Sequence, residues 1–280
     1  MTTTLDSRFA PATNHRPTGA LARVSAIARA ESRLLGRNKA SFATGLLMGP
    51  MMAGMFVLIN LGNTELLGAS FASYVVCIVL TWSALMTVYY NLTSIFVTRR
   101  EDRVFKRLST GEATQWEALV AGAVPSVLIM VAHLVLGGAV AMLAFGVPEV
   151  TNLLLVLLGV LGTMVVCVAL AAASTAFTST VEAAQYSTLP VFLVLGMTAG
   201  TMFPLAGLPD AVQTVASLTP INAAVELVSL GLNGTTMAGE AAGGFLESFG
   251  AAGFPLLVLA AWCAVGILLA RRYMKFEPRR

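Results

Sequence analysis

Six stretches of close to twenty apolar residues decide what this chain can become. They run from Phe42 to Leu61, Phe71 to Val97, Ala118 to Phe145, Leu153 to Thr178, Tyr186 to Met202 and Ala252 to Ala270. At about 1.5 Å per residue, ~20 helical residues cross the ~30 Å of hydrocarbon in a bilayer. Inside lipid every backbone polar group must be satisfied within the protein, which leaves helices and closed barrels as the spanning structures. The pattern predicts an all-α integral membrane protein with six transmembrane helices. Composition agrees, since 57% of the residues are hydrophobic and 11% charged, against roughly 25% charged in an ordinary soluble domain.

Charge placement supplies the orientation. Every Lys and Arg falls between Met1 and Lys39, between Arg99 and Arg107, or between Arg271 and Arg280. The connections around Glu65 and Glu149 and from Asp210 to Glu247 carry acids and no base. By the positive-inside rule, both termini and the Arg99 loop are expected on the cytoplasmic side of the membrane. Six spans satisfy that parity and place the connection around Glu182 on the same side. Met1 to Lys39 is charged throughout, with no continuous apolar core for a cleaved secretory signal.

The first segment divides in two. Residues 1–18, rich in Thr and Pro, read as a loose tail, and residues 19–40 as an amphipathic helix lying on the membrane surface; 41–280 form the transmembrane domain. In that helix Leu21, Val24, Ile27 or Ala28 and Leu34/Leu35 recur at helical spacing. Arg29, Arg33 and Arg37 lie on another face, where they would meet anionic lipid headgroups. A solvated lead-in would carry the same charges. Within the first span, Gly45, Gly49 and Ala53 form a small-residue ladder that admits a close neighbour. Met48, Met51, Met52 and Met55 beside it would suit an apolar cavity or plain lipid contact.

Two interruptions stand out. "TRREDRVFKRLSTGEATQWEAL", Thr98 to Leu119, holds five bases that would together cost on the order of 12–18 kcal/mol at a bilayer centre, so it lies outside the hydrocarbon. Arg100, Arg103 and Arg107 fall at i, i+3 and i+7, with Val104, Phe105 and Leu108 making an apolar edge. That is a short amphipathic helix able to dock in a partner's groove, or an ordinary positive-inside loop. Further on, Pro204, Pro209 and Pro220 interrupt helix, and Val212, Val215 and Leu218 form an apolar edge between them. Short helices dipping back into the outer leaflet are expected there, with an ordinary outer loop as the alternative.

The order of spans, with "RREDRVFKRLSTGEATQWEALVAG" after the second and "GTMFPLAGLPDAVQTVASLTPINAAVELVSLGLNG" after the fifth, resembles the ABC-2 type permeases of ABC transporters, in particular the daunorubicin-resistance-like exporters of drugs and lipids. Arg100, Glu101, Asp102 and Arg103 match the family's acid-base cluster, Lys106, Arg107 and Leu108 its basic-hydrophobic stretch, and Gly122 its closing glycine. Thr110, Gly111 and Glu112 depart from it where a proline is common. The resemblance implies a permease subunit that moves a hydrophobic or amphipathic drug, antibiotic or lipid out of the cell by alternating access. It implies a cytoplasmic ATP-binding subunit in two copies, with ATP and Mg bound there and no cofactor on this chain, and a second permease, identical or homologous, as partner. The ATPase contact would be a coupling helix, Arg100, Glu101, Asp102, Arg103, Phe105, Lys106, Arg107 and Leu108, with Glu182 beside it. Phe203, Pro204, Leu208, Pro209 and Pro220 would belong to a lid or gate at the outer end.

Several classes are disfavoured. The sequence holds no Gly-x-x-x-x-Gly-Lys-Ser/Thr stretch to cradle nucleotide phosphates, so hydrolysis must come from another polypeptide. Cys77, Cys167 and Cys263 sit far apart in apolar runs without metal-ligand spacing. His133 and His15 are the only histidines, poor equipment for hydrolytic chemistry. His133 lies inside the third span, as a hydrogen-bonding partner of another helix or as a proton relay. No nucleic-acid role is suggested. A secondary transporter and a non-transporting membrane scaffold are the rival readings.

Overall fold

The computed structural model describes residues 19–37, 39–60, 71–104, 113–202 and 204–274. The expected tail, Glu65, Phe105 to Glu112, Phe203 and the end of the chain after Met274 lie outside them. Among the described residues eleven α-helices follow one another: α1 Ala20–Arg37, α2 Lys39–Asn60, α3 Phe71–Trp82, α4 Asn91–Glu101, α5 Gln115–Phe145, α6 Leu153–Ser174, α7 Val181–Ser187, α8 Leu189–Met197, α9 Asp210–Ser217, α10 Pro220–Asn233 and α11 Ser248–Tyr273. A π-helical segment, Ser83–Tyr90, joins α3 to α4 in one continuous rod. The described residues contain no strand, only one bridge between Thr235 and Ala241.

Burial ranks these pieces. In the rod Phe71–Glu101, 83% of the apolar stretch is buried, against 28% in α5, 39% in α6 and 22% in α11. The rod is therefore the centre, and the other three turn one side outward. Their outer sides carry Leu136, Leu143, Leu157, Leu161, Leu257 and Leu268, all exposed. Such an apolar exterior suits hydrocarbon and makes this a multi-pass membrane protein.

The helices share two ends. At one, Phe71 meets Phe145 edge-on with ring centres 4.7 Å apart, Ser73 donates to Asn233 at 2.6 Å, and Asn152 donates to Ser248 at 3.0 Å. At the other, α4 finishes against the chain that leaves α6. α6 starts where it does because Asn152 Oδ1 accepts from Leu154 and Leu155 amides that would otherwise be orphaned. α5 starts with a capping box: Glu117 N–H donates to Thr114 Oγ1 at 3.2 Å and Thr114 N–H to Glu117 Oε2 at 2.8 Å.

The span boundaries need correction in places. α5 begins three residues before Ala118 because of its capping box, and α11 runs from Ser248 beyond both expected limits. The expected span Tyr186 to Met202 is instead Val181–Met197, divided at Thr188. It starts early because Thr180 caps Ala183, and it is divided where Pro190 requires the first turn of a new helix. It stops at Met197 because Thr198 N–H bonds back to Val194 O and Gly200, at φ 77°, turns the chain. By length and composition four helices among the described residues are fit to cross a membrane, and the bent pair α9 and α10 makes a fifth if counted as one span; Gly45–Ile59 within α2 and Val181–Met197 are shorter apolar helices.

The small ladder of α2 is used inside the chain. Gly45, Gly49 and Ala53 are buried against α5 and the π segment, while Met48, Met51 and Met55 point away on the exposed side. Pro50 lacks an N–H, so Leu46 O loses its partner one turn on. His133 of α5, 2% exposed, supplies the replacement: Nε2 donates to Leu46 O at 2.8 Å. Because a carbonyl only accepts, Nε2 carries the proton and Nδ1 accepts from Ser83 Oγ at 3.1 Å. Gly49 makes room for the ring, since a Cβ there would lie 3.0 Å from it. His133 is a hydrogen-bonding tie among three helices.

Candidate functional site

The end of the bundle where α4 stops collects the charged residues that the sequence singled out. α1 packs on α5, held by a two-bond ion pair from Arg23 to Glu117 at 2.6 and 3.1 Å. Glu117 thereby serves both the capping box and the tie. Along α1, Ala28 is buried and Val24 and Ile27 half-buried, so its apolar side meets protein as well as the surroundings, where Leu21 and Leu34 remain exposed. Arg29, Arg33 and Arg37 are exposed as expected.

A second ion pair joins α1 to the central rod: Arg99 Nη2 donates to Glu31 Oε2 at 2.5 Å, with both side chains mostly buried. Gly122 of α5 makes this arrangement possible, because a Cβ there would collide with the Arg99 guanidinium. The glycine that closes the resemblance motif thus has a steric reason.

Arg100 departs from expectation. The resemblance groups it with the residues offered to a partner, yet it is 1% exposed and turned inward. Its guanidinium donates to Thr175 O at 2.7 Å, Thr178 O at 2.6 Å and Ser179 O at 3.1 Å. Those carbonyls follow the C-terminus of α6, where backbone acceptors lack helical partners and the helix dipole favours a cation. Arg100 thus fastens the rod to the turn between α6 and α7. Thr178 and Ser187, their hydroxyls 2.6 Å apart, brace the same turn.

The exposed part of the cluster is Glu101, Asp102 and Arg103. α4 ends at Glu101; Asp102 N–H bonds to Thr98 O and Arg103 N–H to Arg100 O, and Arg103 takes the left-handed φ of 55°. α4 therefore does not run on unbroken through Arg103, because the chain turns at Asp102 and Arg103. Phe105, Lys106, Arg107 and Leu108 lie outside the described residues. Glu182, in the first turn of α7, stands at the same end, and α7 packs on α4.

The predicted gate residues gather at the opposite end. Pro209 precedes α9, Pro220 opens α10, and the two helices are bent 86° apart. Pro204 and Leu208 flank the short 3₁₀ turn Leu205–Gly207 between α8 and α9; Phe203 is not among the described residues. Protein covers the interrupted backbone: Trp262 donates to Leu218 O at 2.8 Å, Thr198 to Thr219 Oγ1 at 3.1 Å, and Tyr74 to Thr201 O at 3.0 Å. Val212, Val215 and Leu218 form the anticipated exposed edge.

The π segment leaves little trace in the sequence. Windows of apolar character pass over it, although Thr81, Ser83 and Thr87, all buried in mid-span, mark an unusual stretch. Inserted π turns recur at functional positions in helices.

No curated protein matches the sequence. Residues 59–272 match the family model described as ABC-2 family transporter protein. That match takes in the rod, the Arg99 to Arg103 turn and the proline-broken region, and shows that the chain belongs to the ABC-2 transporter family, as a membrane permease component of an ABC transporter and not its ATPase.

Proposed function

We propose that the chain is the membrane half of an ATP-driven exporter, with six membrane crossings, both termini in the cytoplasm, and an amphipathic or apolar cargo. In this reading α2 and Val181–Met197 also span the bilayer, and α9 and α10 form a re-entrant lid at the outer face. The observation that carries the reading is the tied collar at the basic end: α1, α4, α5 and the α6–α7 turn are joined by Arg23, Arg99 and Arg100. Force applied to the exposed Glu101 to Arg103 turn would move all four together.

Two ATP-binding subunits, closing on ATP and Mg, would press on that turn and on Glu182, and the chain would work opposite a second permease across a two-fold axis. Shifting a pore from 1:99 to 99:1 between inward-open and outward-open states takes ~5.5 kcal/mol of differential interaction, which favours a stiff linkage. Export over import follows the family resemblance, and the charge partition supports the inner-membrane orientation.

The test replaces Arg103, Phe105 and Leu108 together in the assembled transporter and measures ATPase co-purification, ATP turnover and cargo movement in inverted vesicles. Transport should be lost while membrane insertion persists. Retained subunit binding and transport would refute the coupling role. Labelling of single cysteines at 103 and 210 from opposite sides checks the orientation.

A further inference from the structure

A cavity of about 320 Å³ opens between the chain leaving α8, the helices α9 and α10, and the loop after α10. Three of its polar side chains each commit a hydrogen to the backbone. Gln213 donates an amide hydrogen to Leu208 O at 2.8 Å, Thr214 its hydroxyl to Asp210 O at 2.8 Å, and Ser217 its hydroxyl to Thr214 O at 2.9 Å. Their oxygens remain as acceptors. Glu226, half-buried, takes the Met237 amide on Oε2 at 2.9 Å, and no Lys or Arg stands against it among the described residues. Asn222 lines the same space at 4% exposure, and its carboxamide has no hydrogen-bond partner among the described residues.

An acceptor-rich hollow with one uncompensated carboxylate calls for a positively charged donor. A bare metal ion is the poorer fit, because no group of three His, Cys, Asp or Glu comes together among the described residues and the remaining wall is apolar, with Leu205 and Met237. We infer that this cavity is a binding site for the ammonium head of an amine-bearing amphiphile, with Glu226 as counter-ion, Asn222 and Ser217 as hydrogen-bond acceptors, and the hydrocarbon body against Leu205 and Met237. The inference deepens the export reading by naming the cargo class, and it rests on that reading only for the word cargo.

The experiment uses the purified full chain in lipid nanodiscs without any ATP-binding subunit, so failed coupling and failed binding are separate results. Hexylammonium is titrated by calorimetry at pH 7, with hexanol as neutral control. Binding of hexylammonium and none of hexanol is expected. Glu226→Gln retains an oxygen for the Met237 amide and should weaken binding at least tenfold with unchanged melting temperature. Asn222→Asp should tighten it severalfold, and the exposed Glu149→Gln should leave it unchanged. Equal binding of hexanol, or unaltered hexylammonium affinity in Glu226→Gln, overturns the assignment.

Discussion

The two ends of the bundle solve opposite problems. At the basic end each described connection is fastened: Arg100 occupies three loose carbonyls, Arg99 and Arg23 each find a carboxylate, and Thr114 with Glu117 closes the start of α5. At the acidic end prolines break the helices, the pieces meet at 86°, and a carboxylate and a buried carboxamide face a hollow. At the basic end arginines join separate elements, while at the acidic end a hollow stands among the proline-broken pieces. Charge alone would not distinguish them this way, because what differs is whether polar groups are paired or left for something else.

That contrast breaks most readily at Arg100. Arg100→Met strips partners from Thr175, Thr178 and Ser179, and each lost bond to a charged group is worth ~1.5–3 kcal/mol, so a net loss of about 3–5 kcal/mol is expected. Thermal unfolding in detergent measures it, and proteolysis should begin in the α6–α7 turn.

The tie between α2 and α5 comes next. His133→Leu leaves Leu46 O unsatisfied and should cost about 2 kcal/mol. Pro50→Ala gives that carbonyl a helical partner of its own, so His133→Leu should cost less than half as much in that background. Strictly additive melting shifts in the double-mutant cycle would disprove the link.

Gly122→Ala sharpens the role of the collar at a smaller scale, about 1–2 kcal/mol from crowding the Arg99 guanidinium. Arg99→Ala should rescue most of the packing penalty while leaving Glu31 unpaired, and the two effects separate in melting curves recorded across a salt series. Smallest is Thr114→Ala, about 1 kcal/mol for a lost helix cap, read as faster amide exchange confined to the start of α5.

Much of this was legible in the chain. Apolar length located the rod, α5, α6 and α11, because crossing lipid leaves little freedom in composition. Prolines 209 and 220 announced the breaks, since their missing donors act locally. Helical spacing groups Arg100 with Arg103 and Arg107, whereas its direction is set by carbonyls 75 to 79 residues away and by a turn that ends the helix at Glu101. Pro50 and His133 lie far apart in sequence, and nothing local links one's missing hydrogen to the other's ring. The division at Thr188 was hidden because hydropathy averages over it.

Between Ser83 and Tyr90 the backbone holds more residues per turn than the helices on either side. A shaft pinned by Arg100 at its base thus presents Met86 and Tyr90 to a different side from the one that a plain α-helix of the same length would give them.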